Sequence, residues 1–270
     1  MKTSLYLTTP GSKFWASSVS LSLPAAVARA AALGYDAIEL MPRALDDPRP
    51  ESLRALTAQH GLTIAGLASG FIAVERGLTF THPDPAIRRE AMEAFLGCIE
   101  MALRAGATRV SVGVVRGKLQ RELAHAQAMA HLLACVREVG RAAQERGLTL
   151  VLEPGNRYET DFIHTVEEAT AFLDMVDLPN VRLMIDTFHM NIEEPSIPDA
   201  IRRGGPYLEH VHVGDSNRRA PGWGHLDFDA VAAALHASGY RGGIGLEMAF
   251  EPDFDSAARQ GIECVRRLFE

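Results

Sequence analysis

The stretch Leu148-Thr149-Leu150-Val151-Leu152-Glu153-Pro154-Gly155-Asn156-Arg157-Tyr158-Glu159-Thr160-Asp161 passes from an apolar run straight into charge. Leu148 to Leu152 is short, apolar and stopped by a proline, which reads as a buried strand. Its exit carries carboxylates, an arginine and an asparagine, a density that a solvent-facing turn rarely needs. Three later stretches repeat the construction: Met184-Ile185-Asp186-Thr187-Phe188-His189, His210-Val211-His212-Val213-Gly214-Asp215 and Ile244-Gly245-Leu246-Glu247. Each ends an apolar run in a side chain that can bind a metal.

Working outward from this stretch, short β-like runs alternate with helical patterns eight times. The strands expected before it are 4–7, 37–40, 62–67 and 110–114. Those after it are 181–185, 208–213 and 243–246. Helices are expected over 24–33, 51–60, about 20 residues ending near Ala105-Gly106, 120–146, 165–176, 197–203, 228–238 and 255–268. Pro24 suits a first helical turn and Gly34 a C-terminal cap. Strict alternation with near-continuous apolar strands indicates a parallel sheet covered by helices. The chain has 270 residues, and a closed (β/α)8 TIM barrel takes about 250. No GxGxxG follows the first strand, which removes the dinucleotide-binding reading. No Pro/Gly/Ser linker divides the chain, so the expectation is an α/β fold, one barrel domain over residues 1–270.

The formal net charge of −7 argues against a nucleic-acid partner, which calls for clustered Lys/Arg. The three cysteines, Cys98, Cys135 and Cys264, are scattered through helical patterns and make neither a disulfide framework nor a metal knuckle. They read as buried thiols in a reducing compartment. No run approaches the ~18 apolar residues of a membrane helix, and Pro10, Gly11 and Lys13 interrupt any signal-like segment. A cytoplasmic protein without a membrane partner is expected.

Strand residues alternate between the two faces of a sheet. If Glu153 points into the barrel, so does Val151; Asp186 brings Met184, His212 brings His210, and Glu247 brings Gly245. The last inward residues of strands five to eight are then Glu153, Asp186, His212 and Glu247, at the end where barrels of this type carry their sites. Taken singly, each has an ordinary reading: a surface charge, a turn cap at Thr187, a structural histidine. Taken together they form a mixed oxygen and nitrogen set suited to Mn2+, Co2+ or Mg2+. Three carboxylates without a cation would resist common ionisation.

Three motifs carry a resemblance. Glu-Pro-x-Asn-Arg-Tyr-Glu at 153–159, Asp-Thr-Phe-His-Met-Asn-Ile-Glu-Glu at 186–194 and His-Val-Gly-Asp-Ser-Asn-Arg at 212–218 resemble the ketose 3-epimerases of the xylose isomerase-like barrels. Residues 77–83, 115–117, 156–163 and 215–218 are similar in particular to members acting on keto sugar acids of the 5-keto-L-gluconate and D-tagaturonate kind. The resemblance implies one divalent ion, Mn2+ foremost, on Glu153, Asp186, His212 and Glu247. Glu153 and Glu247 would be the catalytic acid/base pair, inverting C3 of a small-molecule ketose or keto sugar acid. It further implies that His189 and Arg218 stabilise the enediolate, that Glu159 holds the hydroxymethyl end of the substrate, and that a homodimer or homotetramer forms.

Some positions are read from their own chemistry. Arg157 is expected to orient Glu153 and neighbouring carboxylates rather than to touch the sugar, with Asn156 in a supporting place. Arg116 and Lys118, in the short basic connection after strand four, are candidates for a substrate carboxylate. Phe14, Trp15 and Phe71 are candidates for the pocket wall. Gly155 stands where free-sugar epimerases tend to carry a bulkier apolar residue, and His164 and His225 have no assigned part. An aldose–ketose or hydroxypyruvate-type isomerase would use the same site. An endonuclease IV-like nuclease would share the barrel but calls for more histidine ligands and a basic face.

Overall fold

The structure, a computed structural model, describes residues 1–14 and 20–269. Eight strands close into a barrel in chain order, all neighbours parallel: β1 (Thr3–Thr8), β2 (Ala37–Met41), β3 (Thr63–Ala68), β4 (Arg109–Val112), β5 (Thr149–Leu152), β6 (Val181–Asp186), β7 (Leu208–Val213) and β8 (Ile244–Leu246). Pairing of Ser4 with Gly245 joins the first strand to the last. Helices fill the connections: α1 (Leu23–Leu33), α2 (Pro50–Gln59), α3 (Phe71–Val74), α4 (Pro85–Ala105), α5 (His125–Glu145), α6 (Val166–Val176), α7 (Thr187–Glu193), α8 (Ile197–Gly204), α9 (Phe228–Ala237) and α10 (Phe254–Phe269). The barrel is the one expected, with two short helices, α3 and α7, that the hydrophobic pattern does not announce.

The two faces of the strands divide the chemistry. Leu5, Leu7, Ile38, Leu40, Val110, Val112, Leu150, Leu152, Leu183, Val211, Ile244 and Leu246 are buried in the core. By alternation along the strands they face the helices. Each such side chain contributes roughly 1.5–3 kcal/mol on burial. The interior positions between them include Tyr6, Glu39, Ser111, Met184, His210 and His212, a polar set for a sealed lumen. Local signals set the helix ends. Ser22 accepts from Ala25 N ahead of α1, and Gly34 closes it at φ 89°, a left-handed conformation that costs glycine little. Asp84 caps α4, and Thr165 with Glu168 forms a capping box on α6.

Two boundaries differ from expectation. The fourth strand stops at Val112, and Val114–Arg116 form a single 3-10 turn. This turn carries Arg116 back over β5, where its guanidinium donates to the Glu153 carbonyl oxygen. The fifth helix begins at His125 rather than Gln120, because residues 121–123 form a turn in which Leu123 N donates to Gln120 O. All three cysteines are buried free thiols, as expected. No described helix is long and apolar enough to cross a membrane.

Candidate metal centre and substrate cleft

Parallel strands in one ring bring their C-terminal ends to one face. Glu153 follows β5, Asp186 closes β6, His212 lies one residue before the end of β7, and Glu247 follows β8. Asp186 pairs in register with His212, and His212 with Gly245, so Glu247 is the next inward residue of its strand. One ligand atom from each of the four lies within 4.8 Å of the others. The set anticipated at four strand ends is thus brought to one point.

The donor set fits a divalent cation. Asp186 is 1 %, His212 2 % and Glu247 5 % exposed, too dry to leave three carboxylates uncompensated. Compensation inside the protein is partial. Arg218 donates to Asp186 Oδ2 at 2.7 Å and to Glu247 Oε1 at 2.5 Å. His212 Nδ1 lies 2.7 Å from Glu247 Oε2. Glu153 Oε1 is buried with no hydrogen-bond partner among the described residues, its nearest cationic neighbour being His212 Nδ1 at 3.8 Å. Such an orphaned oxygen, 2–3 kcal/mol or so costly if left unmet, marks where a cation would sit.

Electrostatics agree with this accounting. Burial would lower the His212 pKa, but the Glu39 charge, the nearby Glu153 carboxylate and hydrogen bonds with Glu247 and Glu39 hold it well above its usual value. Burial likewise works against the Arg218 charge, and Asp186, Glu247, Glu159 and Glu153 more than offset it. Glu247 is driven the other way. Burial favours its neutral form, yet Arg218 and His212 keep it ionised below the ordinary carboxylate range.

Arg218 reaches this point through a built loop. Its backbone sits at φ 62°, a left-handed conformation unusual for a side-chain-bearing residue. Arg218 N donates to Asp215 O, and Ala249 N donates to Arg218 O. The Asp215 carboxylate, fully buried, accepts from Ser216 N, Gly222 N and Leu226 N. Burial would raise its pKa, and the donated N–H groups overcome that and lower it. Asp215 explains the Asp-Ser-Asn-Arg motif: it ties the loop that aims Arg218. The Arg218 guanidinium also lies 4.6 Å over the Phe188 ring.

Above the four ligands opens a cleft lined among others by Glu153, Glu247, His212, His189, Glu159 and Arg116. Asn156 is a cross-brace. Its Nδ2 donates to Glu159 Oε1 at 3.0 Å and lies 2.8 Å from His189 Nδ1. Asp186 serves twice, since its Oδ1 also accepts from Phe188 N and caps α7, the helix that carries His189. Phe14 lines the cleft, whereas Phe71 is fully buried in the core and absent from that wall. Trp15 lies outside the described residues.

Other candidates fall elsewhere. Arg157 forms a paired contact with Glu193 of α7 (Nη2–Oε2 2.8 Å), not with Glu153, because its side chain points outward. Lys118 is exposed and donates to the Tyr158 carbonyl at 2.7 Å, outside the cleft lining. Arg116 is 1 % exposed, lines the cleft, and has no partner for Nε among the described residues. Burial lowers its pKa to about 10, so it remains a cation. Gly155 has its explanation here. A Cβ there would meet Arg116 Nη2 at 2.9 Å and Thr160 Cγ2 at 3.1 Å. His164 Nε2 meets the Thr160 carbonyl and His225 Nδ1 the Ser216 hydroxyl, and neither lines the cleft.

Two residues against His212 escape a strand-end reading. Tyr6 packs edge-on against His212 with ring centroids 5.4 Å apart. Glu39, 6 % exposed in the middle of β2, receives His212 Nε2 at 2.9 Å. The one available signal was a lone carboxylate inside the apolar run Ala37-Ile38-Glu39-Leu40.

Comparison with known proteins bears on this geometry. A family model described as a xylose isomerase-like TIM barrel matches residues 27–268. The chain belongs to that family. Among curated relatives, the D-psicose 3-epimerase of Ruminiclostridium cellulolyticum is 32 % identical over 232 residues, 82 % of this chain and 76 % of that protein. A second relative, the 3-dehydro-D-guloside 4-epimerase of Escherichia coli, is 37 % identical over 112 residues, 42 % of this chain and 43 % of that one. The solved structure of the Clostridium cellulolyticum D-psicose 3-epimerase with D-tagatose superposes with a TM-score of 0.83 at 26 % identity, covering 100 % of both chains. Within the xylose isomerase-like barrels, this chain stands with the ketose 3-epimerases.

Proposed function

We propose that this protein is a divalent-metal-dependent epimerase that inverts C3 of a ketose or keto sugar acid. The observation that carries the reading is the pair Glu153 and Glu247. The two belong to one ligand set, border one cleft, and leave strands three places apart around the ring. Glu153, Asp186, His212 and Glu247 would hold the ion, with Mn2+ the proposed metal and Co2+ or Mg2+ alternatives. When bound, such an ion polarises neighbouring carbonyl and hydroxyl oxygens and so acidifies the C3 proton.

The side chains of the protein supply the rest. One glutamate removes the C3 proton from one face, and the other returns a proton to the opposite face. A single base would give the proton back where it came from, so inversion requires both. Glu247 is held ionised by Arg218 and His212, the state a base must be in before it takes the proton. Glu153 is suited because one of its oxygens is free of hydrogen bonds. Arg218 and His189 bring positive charge and a donor beside the enediolate oxygens. Glu159, braced by Asn156, would take the terminal hydroxyl.

Arg116 supports the keto sugar acid within this class. A buried cation with an unused N–H in the cleft wall favours a carboxylate at the far end of the substrate. Its room comes from Gly155. Lys118, turned to the Tyr158 carbonyl, has no part in this recognition. The cytoplasm is the proposed location, where three buried thiols stay reduced.

A panel of ketoses and ketouronates incubated with Mn2+ in heavy water tests the reaction, with products read by proton NMR. Inversion with solvent deuterium at C3 is expected, fastest for the acids. Exchange confined to C1 would assign an aldose–ketose isomerase instead, and exchange at C4 the chemistry named for the Escherichia coli relative.

A further inference from the structure

Beneath the four ligands lies a second buried layer that the reaction itself does not use. Glu39 stands at its centre and each of its oxygens is met. Oε1 accepts from Ser4 Oγ at 2.5 Å and faces His210 Nε2 at 2.8 Å, while Oε2 faces His212 Nε2 at 2.9 Å. Ser4 is 3 % and His210 1 % exposed, so water does not compete for these bonds. The fold makes room for this carboxylate at Gly245, whereas on the Gly66 side the spacing is that of ordinary contact. The β2–β3 register shifts between Ile38 and Glu39, placing Glu39 opposite Gly66, where a Cβ would stand 3.8 Å from Oε2. On the other side, a Cβ on Gly245 would stand 2.7 Å from His212 Cδ2 and 3.1 Å from His210 Nε2, and nearer still to Glu39 Oε1.

We infer that Glu39 is a positioning residue for the metal centre: its carboxylate, seated by Ser4 and His210 in the space left by Gly245, holds His212 with Nε2–H donating downward and the Nδ1 lone pair directed at the ion. This rests on the four-ligand reading above. A neutral imidazole carries one N–H; both nitrogens face carboxylates, but Nδ1 faces the other ligands Glu153 and Glu247 while Nε2 faces only Glu39, so with an ion among the ligands the proton goes to Nε2. The other nitrogen is then the ligand atom, and the carboxylate's charge raises its basicity. His210, held on the same carboxylate through Nε2, has no partner at Nδ1 and is not a ligand to the upper layer.

The test titrates Mn2+ into metal-free protein by calorimetry, for the wild type, Glu39→Gln and Gly245→Ala. Glu39→Gln keeps the shape and an acceptor but removes the charge, and a 10–100-fold loss of Mn2+ affinity is expected. Gly245→Ala keeps every donor yet crowds Glu39 and His212, and a loss of the same kind is expected. Wild-type affinity in folded Glu39→Gln would overturn the inference while leaving the metal centre standing. Failure of the wild type to bind Mn2+ would overturn both. A further measurement does not depend on any variant folding. In 15N-histidine-labelled wild type loaded with diamagnetic Mg2+, the His212 resonances should report Nε2–H, and an Nδ1–H tautomer would overturn the assignment.

Discussion

In the two layers of the barrel interior the carboxylates stand in opposite states of satisfaction. In the lower layer, one carboxylate meets a hydroxyl and two imidazoles, and both oxygens are used. In the upper layer, three carboxylates share one imidazole and one guanidinium, and Glu153 Oε1 has no hydrogen-bond partner. His212 belongs to both layers, one nitrogen in each. The contrast separates support from chemistry. Groups whose bonds are complete can fix geometry, whereas groups left incomplete in a dry site can take a cation and move a proton.

Removing the upper layer's imidazole or its cation should have the largest effect. His212→Ala or Asp186→Ala is expected to lower kcat/KM by on the order of 10³-fold or more, since a metal supplies several kcal/mol of charge stabilisation. Chelation should do the same reversibly. It should also lower Tm by roughly 5–10 °C, because an ion at 100 times its Kd contributes about 2.7 kcal/mol to a fold of this size. Differential scanning calorimetry with and without chelator checks this, and an unchanged Tm would count against a resident ion.

The lower layer should act by an intermediate amount. Glu39→Gln is expected to restore most of its kcat at saturating Mn2+, because it touches no substrate, whereas His212→Ala should not recover. A steady-state titration in Mn2+ distinguishes the two, and equal recovery would erase the difference between the layers. In the cleft wall, Arg116→Met should cut kcat/KM for keto sugar acids by about 10–100-fold while changing neutral ketoses little. Gly155→Ala, which displaces the guanidinium, should shift selectivity in the same direction.

Outside both layers the effects should be small. The Arg157–Glu193 contact holds a loop to α7 at an exposed position, and Arg157→Ala should leave kcat/KM within about threefold. Asp215 provides a pH signature. Its folded pKa lies below the ordinary 3.8, so its contribution is present above that value and is lost as pH falls through the folded pKa. Asp215→Asn should therefore flatten the acid limb of stability measured by urea unfolding at pH 5 down to pH 2.

Much of the upper layer could be read from the chain alone because each ligand ends its own apolar run. The period-2 alternation that buries Leu150 and Leu152 outward also sets Glu153 inward, and the same holds at Asp186, His212 and Glu247. The lower layer was not legible in this way. Glu39 sits inside β2, and its partner His212 is 173 residues away, a pairing only barrel closure reveals. The expected contact of Arg157 with Glu153 failed for a related reason, although Arg157 does pair with another carboxylate, Glu193. A strand-exit pattern does not specify which way the next side chains point, and α7, which supplies Glu193, is too short to announce itself by periodicity. Arg116 was legible as a charge but not as a buried one, because the turn that folds it over Gly155 depends on space left by a glycine 39 residues later in the chain.

The most direct test of the central claim is proton NMR of C3 for a reactive ketose or keto acid in heavy water, comparing wild type with Glu153→Gln and Glu247→Gln under saturating Mn2+. Two opposed bases predict inversion with deuterium at C3 in the wild type. In each variant the rate of inversion should fall by roughly 10²–10⁴-fold. Wild-type inversion in either variant would contradict the account, since one glutamate would then suffice for both faces.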